Sequence, residues 1–480
     1  MSKKKYKSNG VYLCGYSAQD VTGSQYYVKY GDRNILLECG LHQSSKNSYL
    51  ESYKINAAKF KFDPAELDYV FINHTHIDHI GLTPRLVKEG FRGKIIATSE
   101  TAKIMKPLLM NSCFIIQEEA KILSKKFKRE YKPIYDFDDV NKTMELVETY
   151  DSYNTIYHLD DEVSFQWFHN SHCIGAAQLQ LILGTNGETR KILYTSDIGA
   201  LHTDNHYVTD TEIPTCYNDV VIMESTYGAA KQKHYKTRKF DVEHFKTAID
   251  TVLERGGSVV LPCFSFSRTQ EILTTLYDIY GQDENFKTDV VIDSKLSCEI
   301  SELYLDLLDG ENRHYWNRIC HWENVRFITE KEDSKRCIAE STPKIVLSSS
   351  GFCTNGRIIN YLKKYLRDSN SMIIFSGYIG DNPSYLSYRI KNFKKHKTIS
   401  IFKEDVPNRA DCMSLSTFSS HANYNDLITY GSSLNTSKLV LVHGSVESKK
   451  CLADGLRKAI SERNKTFRVI SSFMGMVIHL

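Results

Sequence analysis

The sequence predicts an α/β protein on three observations. Short β-branched runs alternate with helical stretches nearly to its end, Gly and Pro supply only 25 and 9 of 480 residues, and a cluster of imidazoles follows directly on one of the runs. A chain of this length hides about three quarters of its unfolded surface, enough for one large α/β body or roughly three domains. With 41% hydrophobic and 25% charged residues, it falls outside the collagen-like, disordered and membrane-spanning classes.

The runs, in order, are 34–37, 69–72, 94–97, 192–195, 220–223, 258–261, 290–292, 345–347, 372–375 and 439–442, rich in Val, Ile and Leu and read as buried strands. Residues 100–150 carry helical spacing and many charges around Lys125-Lys126-Phe127-Lys128-Arg129, and are expected to form a helical excursion. The polar stretch 310–342 is expected to be surface connection. No internal repeat or heptad seam is present.

Net charge is +3, with 61 Lys and Arg against 58 Asp and Glu, so a polyanion must be held by a local patch rather than a global field. The 12 cysteines are scattered without a C-x-x-C pair and read as small buried hydrophobes. The basic start Lys3-Lys4-Lys5 is not followed by an apolar segment, and no stretch is long enough to cross a bilayer, so a cytoplasmic protein without membrane contact is expected.

The sharpest chemical feature is Asn73-His74-Thr75-His76-Ile77-Asp78-His79, at the end of the run 69–72. Three imidazoles and a carboxylate in six positions are donors that borderline divalent ions prefer. In extended chain His74 and His76 share a face, while Asp78 and His79 enter the next helix near enough to serve a second ion. Four donors cannot close two sites, and three further candidates also follow apolar runs: His172, Asp197 and His443. Singly, each also fits a loop or buried His or a capping Asp.

The order H-T-H-I-D-H (74–79), S-H-C-I-G-A-A (171–177) and Y-T-S-D-I-G (194–199) resembles the metallo-β-lactamase fold. Met223-Glu224-Ser225-Thr226-Tyr227-Gly228, Phe418-Ser419-Ser420-His421-Ala422-Asn423 and His443-Gly444 resemble the three motifs of the β-CASP nucleases. Segments 261–271, 348–352 and 375–378 are similar to others of that family, so the likeness runs in order from about residue 35 to 445. The resemblance implies a four-layer αββα sandwich, residues 1–215 and 401–480, interrupted by an α/β β-CASP domain at 216–400. It is nearest to the RNA-cleaving branch that includes the cleavage and polyadenylation factor endonuclease subunit and its short bacterial relatives. His443 carries this assignment, because DNA-repair members typically have Val there. The absence of a KH-like extension before residue 10 and of a long tail fits the short form.

The resemblance further implies that His74, His76 and His172 hold one zinc, Asp78, His79 and His443 a second, and that Asp197 bridges, with manganese as the alternative metal. It implies hydrolysis of single-stranded RNA by a two-zinc-activated hydroxide, leaving 5′-phosphate and 3′-hydroxyl ends, with catalytic roles for Asp78, His421 as general acid and Glu224 as its orienting partner. Substrate phosphates are expected at Ser267, Arg268, Ser349 and Ser350, and the RNA groove at Lys391, Lys394, Lys395 and Lys397 near Tyr378 and Tyr385. Relatives of this kind dimerise, so a homodimer is an expectation. A DNA nuclease, a small-ester hydrolase and a non-catalytic RNA-binding relative are the alternatives. Two departures from the pattern stand out: Glu38 and Asn423 occupy positions where the family usually has Asp.

Overall fold

The computed structural model describes residues 8–43, 48–185, 188–229, 237–377, 379–380, 383, 385–392 and 397–480. Its contacts divide the chain into two compact units, Met1–Lys233 with Ser420–Leu480, and His234–Ser419. Both seams fall later in the sequence than the expected 216 and 400. The strand 217–224 pairs inside a sheet of the first unit, and the strand 411–414 pairs inside the second.

Among the described residues the first unit contains two seven-stranded sheets. One comprises β1 (Gly10–Leu13), β2 (Tyr26–Tyr30), β3 (Arg33–Leu37), β4 (Tyr69–Phe71), β5 (Lys94–Ala97), β6 (Val147–Thr149) and β22 (Val477–His479), in the order 22-1-2-3-4-5-6. The other comprises β7 (Tyr157–His158), β8 (Val163–His169), β9 (Ala177–Leu183), β10 (Arg190–Tyr194), β11 (Tyr217–Glu224), β20 (Asn435–Val442) and β21 (Arg468–Ser471), in the order 21-20-11-10-9-8-7.

Period-two alternation makes the layers. Val28, Leu37 and Phe71 of the first sheet meet Trp167, Leu179, Ile192, Val220, Ile222 and Val440 of the second in one dry core. The intervening residues Leu193, Val221, Met223 and Leu441 face the other way, under the helices Tyr424–Ser433 and Val446–Glu462 through Leu427, Leu452 and Leu456. The helix Ser99–Phe127 packs along β6 and on the helix Phe137–Glu145. The αββα sandwich thus has its hydrophobic seam between two sheets buried on both faces.

The second unit is built on a six-stranded parallel sheet: β12 (Val259–Pro262), β13 (Asp289–Asp293), β14 (Val325–Ile328), β15 (Lys344–Ser348), β16 (Met372–Phe375) and β19 (Asp411–Ser414), in the order 14-13-15-12-16-19. A hairpin of β17 (Thr398–Ile401) and β18 (Glu404–Pro407) stands beside it. Each strand read as a buried run is a strand here.

The stretch 310–342 corrects the sequence reading, for it is not a connection. It folds as the helix Gly310–Cys320, β14 and the helix Lys331–Ala339. These elements bury little, chiefly Trp316 and Ile319 in the first helix and Cys337 in the second, and β14 is an edge strand with a half-buried face. A polar composition is what an edge element needs to discourage pairing with other chains. No helix among the described residues is long and apolar enough to cross a membrane.

Candidate metal centre

Parallel strands deliver the chemistry at their carboxyl ends, as open α/β sheets generally do. In the first sheet β3 ends at Glu38 and β4 runs on to His74, His76 and the short helix Ile77–Ile80 that carries Asp78 and His79. In the second sheet the neighbours β10, β11 and β20 lead to Asp197, Glu224 and His443, three residues beyond, at, and one residue beyond their respective ends. His172 lies on the turn between β8 and β9. Asn170 ties that turn to the Asp197 turn: its Oδ1 accepts from His172 N and Gly199 N, and its Nδ2 donates to the Asp197 carbonyl at 2.7 Å. The two turns touch so closely that a Cβ on Gly199 would lie 2.2 Å from Ser171 Oγ.

Two sets of donor atoms form. His76 Nδ1 lies 3.1 Å from His74 Nε2 and 3.0 Å from His172 Nε2, and Asp197 Oδ2 lies 3.7 and 3.8 Å from the same two Nε2 atoms. Asp78 Oδ2 lies 3.6 Å from His79 Nε2 and 3.4 Å from His443 Nε2. Asp197 Oδ2 is also 3.2 Å from His79 Nε2, so this one carboxylate adjoins both sets.

The protons of these imidazoles are assigned by what stands behind each ring. His172 Nδ1 faces the Ser420 carbonyl, which only accepts, at 3.2 Å. His74 Nδ1 donates to Ser196 Oγ, whose own proton goes to Glu38 Oε1. His79 Nδ1 donates to Glu38 Oε2, and His443 Nδ1 lies 3.1 Å from Thr226 Oγ1. Each partner holds the hydrogen on the outer nitrogen and turns a lone pair inward, the usual arrangement around a ligating histidine. Lone pairs and carboxylate oxygens then converge: His79 Nε2 is buried without a hydrogen-bond partner, and Asp197 Oδ1 has His443 Nδ1 3.2 Å away but no hydrogen bond. Such a set of acceptors is stable only around positive charge, so the residues fit divalent metal ions.

Electrostatics set the two groups apart. Burial and the neighbouring imidazoles push His74 and His172 well below the ordinary histidine range, and burial pushes His76 down to about 4, so these rings are neutral at pH 7. Asp197 stays ionised: burial opposes its charge, but His443 and His79 hold it well below the carboxylate range. In return Asp197, with Glu38 and Asp78 beside His79 and with Asp78 beside His443, outweighs burial and raises His79 well above and His443 above the ordinary histidine range, a negative field that a cation would satisfy in place of their protons.

His421 stands beside the two sets. Its Nδ1 lies 3.0 and 3.2 Å from the Glu224 oxygens, and its Nε2 points to the site, 4.0 Å from Asp197 Oδ2. Burial disfavours its charge, but Glu224 outweighs burial and raises its pKa to about 9. Glu224 is itself fixed by Ile198 N at 2.5 Å and Thr226 N at 3.2 Å.

The sequence matches the Metallo-beta-lactamase superfamily over residues 18–145, the Beta-Casp domain over 269–382 and the Zn-dependent metallo-hydrolase RNA specificity domain over 405–469. The chain is a β-CASP member of the metallo-β-lactamase superfamily. It is 28% identical over 445 residues to Ribonuclease TTHA0252 of Thermus thermophilus, covering 92% of this chain and 94% of that protein. Transcription termination factor FttA of Methanothermobacter thermautotrophicus is 26% identical, over 97% of this chain and 72% of its own length. Endoribonuclease YSH1 of Kluyveromyces lactis is 23% identical over 95% of this chain, which spans 58% of that longer protein. A crystal structure of a protein of unknown function from Enterococcus faecalis V583 shares the fold, with a TM-score of 0.55 at 14% identity over 99% of this chain and all of that one.

Both departures from the β-CASP pattern have a local account. Glu38, fully buried, accepts from Ser196 Oγ, Asn73 N, Tyr194 OH and His79 Nδ1, so the longer side chain still braces the ligand loop. Asn423 caps the helix Tyr424–Ser433, its Oδ1 accepting from Asn425 N and Asp426 N as an Asp would.

The residues expected to hold phosphate lie in the other unit. Arg268, buried, is ion-paired to Glu271 at 2.8 Å, and Ser267 sits at the head of the helix Arg268–Tyr280 without a side-chain cap bond. Ser349 Oγ donates to Ser294 Oγ at 3.0 Å, and Ser350 Oγ accepts from Thr354 N at 3.2 Å. Lys391 and Lys397 are exposed, whereas Lys394, Lys395 and Tyr378 lie outside the described residues.

Sequence reasoning missed the braces Tyr194, Ser196, Thr226 and Asn170. All four lie within three residues of a candidate ligand or acid, but the partners they hold are remote in sequence, so nothing local marks them as braces. Lys449 was also missed, and a single Lys in an amphipathic helix carries no signal at all.

Proposed function

We propose that this protein is a metal-dependent ribonuclease that hydrolyses phosphodiester bonds of single-stranded RNA. The observation that carries the reading is the pairing of the two donor sets with a carboxylate-held imidazole at the same edge. His74, His76 and His172 would hold one ion, Asp78, His79 and His443 the other, with Asp197 shared. Imidazole and carboxylate donors favour zinc, with manganese as the alternative. The ions, when bound, supply Lewis acidity toward phosphate oxygens and acidify water toward neutral pH.

The chain's own groups do the rest. Asp197 and Asp78 place negative charge where the ions sit, and the outer hydrogen bonds fix each ring before substrate arrives. His421 presents Nε2 to the site while Glu224 holds the proton on Nδ1 and favours the cation. His421 is then the acid that protonates the departing 3′-oxygen, leaving 3′-hydroxyl and 5′-phosphate ends. Relatives named ribonuclease and endoribonuclease support RNA as the polymer.

The test is cleavage of 5′-labelled single-stranded RNA and matching DNA by wild type and by the Asp78→Ala, His79→Ala double variant, with bound metal measured on both. RNA cleavage by wild type with about two metals per chain is expected, and loss of that cleavage in the variant. Metal bound without cleavage of either polymer would overturn the reading, and preferential cleavage of DNA would overturn the substrate.

A further inference from the structure

The parallel sheet of the inserted unit has a feature that the metal site does not use. From β12 the chain passes through the helix Arg268–Tyr280 to β13, on one side of β12. From β15, the hydrogen-bonded neighbour of β12, it passes through the helix Ile358–Tyr365 to β16, on the opposite side of β12. Adjacent parallel strands whose connections leave in opposite directions form a topological switch point, where open α/β sheets bind ligands in the crevice beyond the strand ends.

The turns bordering this crevice are residues 263–267 and 349–357. They present aromatic rings and hydroxyls. Phe264 is 46% exposed, an unusual state for a Phe two residues beyond a fully buried strand. Its ring meets Phe352 edge to face, with centroids 5.1 Å apart and planes at 86°, and Phe352 stacks on Tyr385 at 5.6 Å and 18°. The bare α-carbon of Gly351 lets the Phe264 ring settle on the second turn, since a Cβ there would come within 3.1 to 3.2 Å of three ring carbons. Ser265 and Ser349 both reach Ser294, the residue after β13, at 3.4 and 3.0 Å, so hydroxyls from three strand ends gather at the same edge.

We infer that this crevice is a nucleobase-stacking subsite, in which the ring of Phe264, backed by Phe352 and Tyr385, receives one unpaired base of a single-stranded RNA. A ring held by its neighbours yet nearly half exposed offers π-surface to a base of any identity, and the serine hydroxyls suit the sugar and phosphate beside it. With net charge close to zero, stacking supplies affinity that a global basic field does not.

The inference rests on the ribonuclease reading, and its test separates the two. Wild type, Phe264→Ala, Phe264→Leu and Phe264→Trp are compared for KM and kcat on a labelled single-stranded RNA, with thermal melting as the control for folding. In parallel, a 5-iodouridine-substituted oligoribonucleotide is photo-crosslinked to the wild type and the attached peptide is mapped. Loss of a base–aromatic stack predicts a KM raised about 5- to 150-fold in Phe264→Ala, with the loss in KM rather than kcat. Trp is expected to restore binding and Leu, which fills space without a π-face, to leave it weak; the crosslink is expected at 264 or 352. A KM that Leu restores as well as Trp, or a crosslink confined to other segments, overturns the inference while leaving the ribonuclease reading intact. Wild type that cleaves no RNA defeats the ribonuclease reading, and the crosslink, which needs no cleavage, still decides the subsite.

Discussion

Both units gather side chains at the carboxyl ends of parallel strands, yet the two edges are built from opposite materials. In the sandwich unit the edge is carboxylate and imidazole, and Glu38, His74, His79 and Asp197 are all buried. In the inserted unit it is hydroxyl and aromatic, with Phe264 open to solvent and Ser349 and Ser350 half-buried. Burying a ring of acceptors is costly unless charge fills it. The first edge is therefore a cage with four imidazoles held from behind, whereas the second bears no such constraint, as the proposed stacking of a polymer of changing sequence requires.

The comparison breaks first at His421, which stands at the edge of the cage and also groups with Asp197 and Glu224 within ligand distance. If it is the acid and not a ligand, His421→Ala keeps its metals and loses about two to four orders of magnitude in kcat. Metal content and single-turnover rate on the same preparation decide this, because a variant that loses an ion places His421 inside the cage.

A smaller effect sharpens the idea that the cage is held from behind. Glu38 reaches the two sets only through outer nitrogens and Ser196, so Glu38→Gln leaves every proposed ligand in place. It removes the charge that accepts from His79 Nδ1 and Ser196 Oγ. Losing such an outer partner weakens metal binding about 10- to 100-fold, measured by competition with a chelator. Ser294→Ala, the corresponding brace of the other edge, is expected to leave metal affinity unchanged. Equal losses in both variants would mean that the two edges are not distinct.

The difference between the edges also explains what was legible in the sequence. His74, His76, Asp78, His79, His172, Asp197 and His443 each stand just after an apolar run or on the turn it feeds, and a polar residue at that point is conspicuous. Ten strands were legible for the same reason, being runs rich in Val, Ile and Leu, whereas the equally buried β1 and β9 were not, because Gly, Tyr and Gln interrupt their aliphatic pattern. The braces were not, because a hydrogen bond such as that from Ser196 Oγ to Glu38 joins residues 158 positions apart and leaves no local pattern. The elements at 310–342 were missed because half-buried surface elements carry the polar composition of a loop. The aromatic edge was invisible too: Phe264 looks like core until the topology shows which strands end beside it.

The smallest effect belongs to a residue with no sequence signal. Lys449, on the helix Val446–Glu462 and 1% exposed, sends Nζ to the Ala18 carbonyl at 2.5 Å and the Ser472 carbonyl at 2.7 Å. The neighbouring Ser17 carbonyl accepts from His443 N at 2.6 Å, so Lys449 steadies the turn on which His443, a proposed ligand, leans. Lys449→Met keeps the bulk and leaves buried carbonyls short of donors, at a cost of about 1 to 3 kcal/mol. Burial, only partly opposed by Asp20, lowers the Lys449 pKa to about 8, below the ~10.4 of an unfolded lysine. Below pH 8 both states hold the proton, and the cost of burying the ammonium is constant. Between about pH 8 and 10.4 the unfolded chain binds the proton and the folded chain does not, so this group makes stability rise with pH across that window. Urea unfolding of both proteins at steps from pH 7.5 to 10 isolates the contribution, since every other titrating group is common to them. The gap between wild type and Lys449→Met is expected to widen in favour of wild type as pH rises through the window. A gap that stays constant would show that Lys449 keeps its proton, and that the turn beneath His443 is held by a permanent charge rather than by a neutral amine whose remaining N–H groups suffice for two carbonyls.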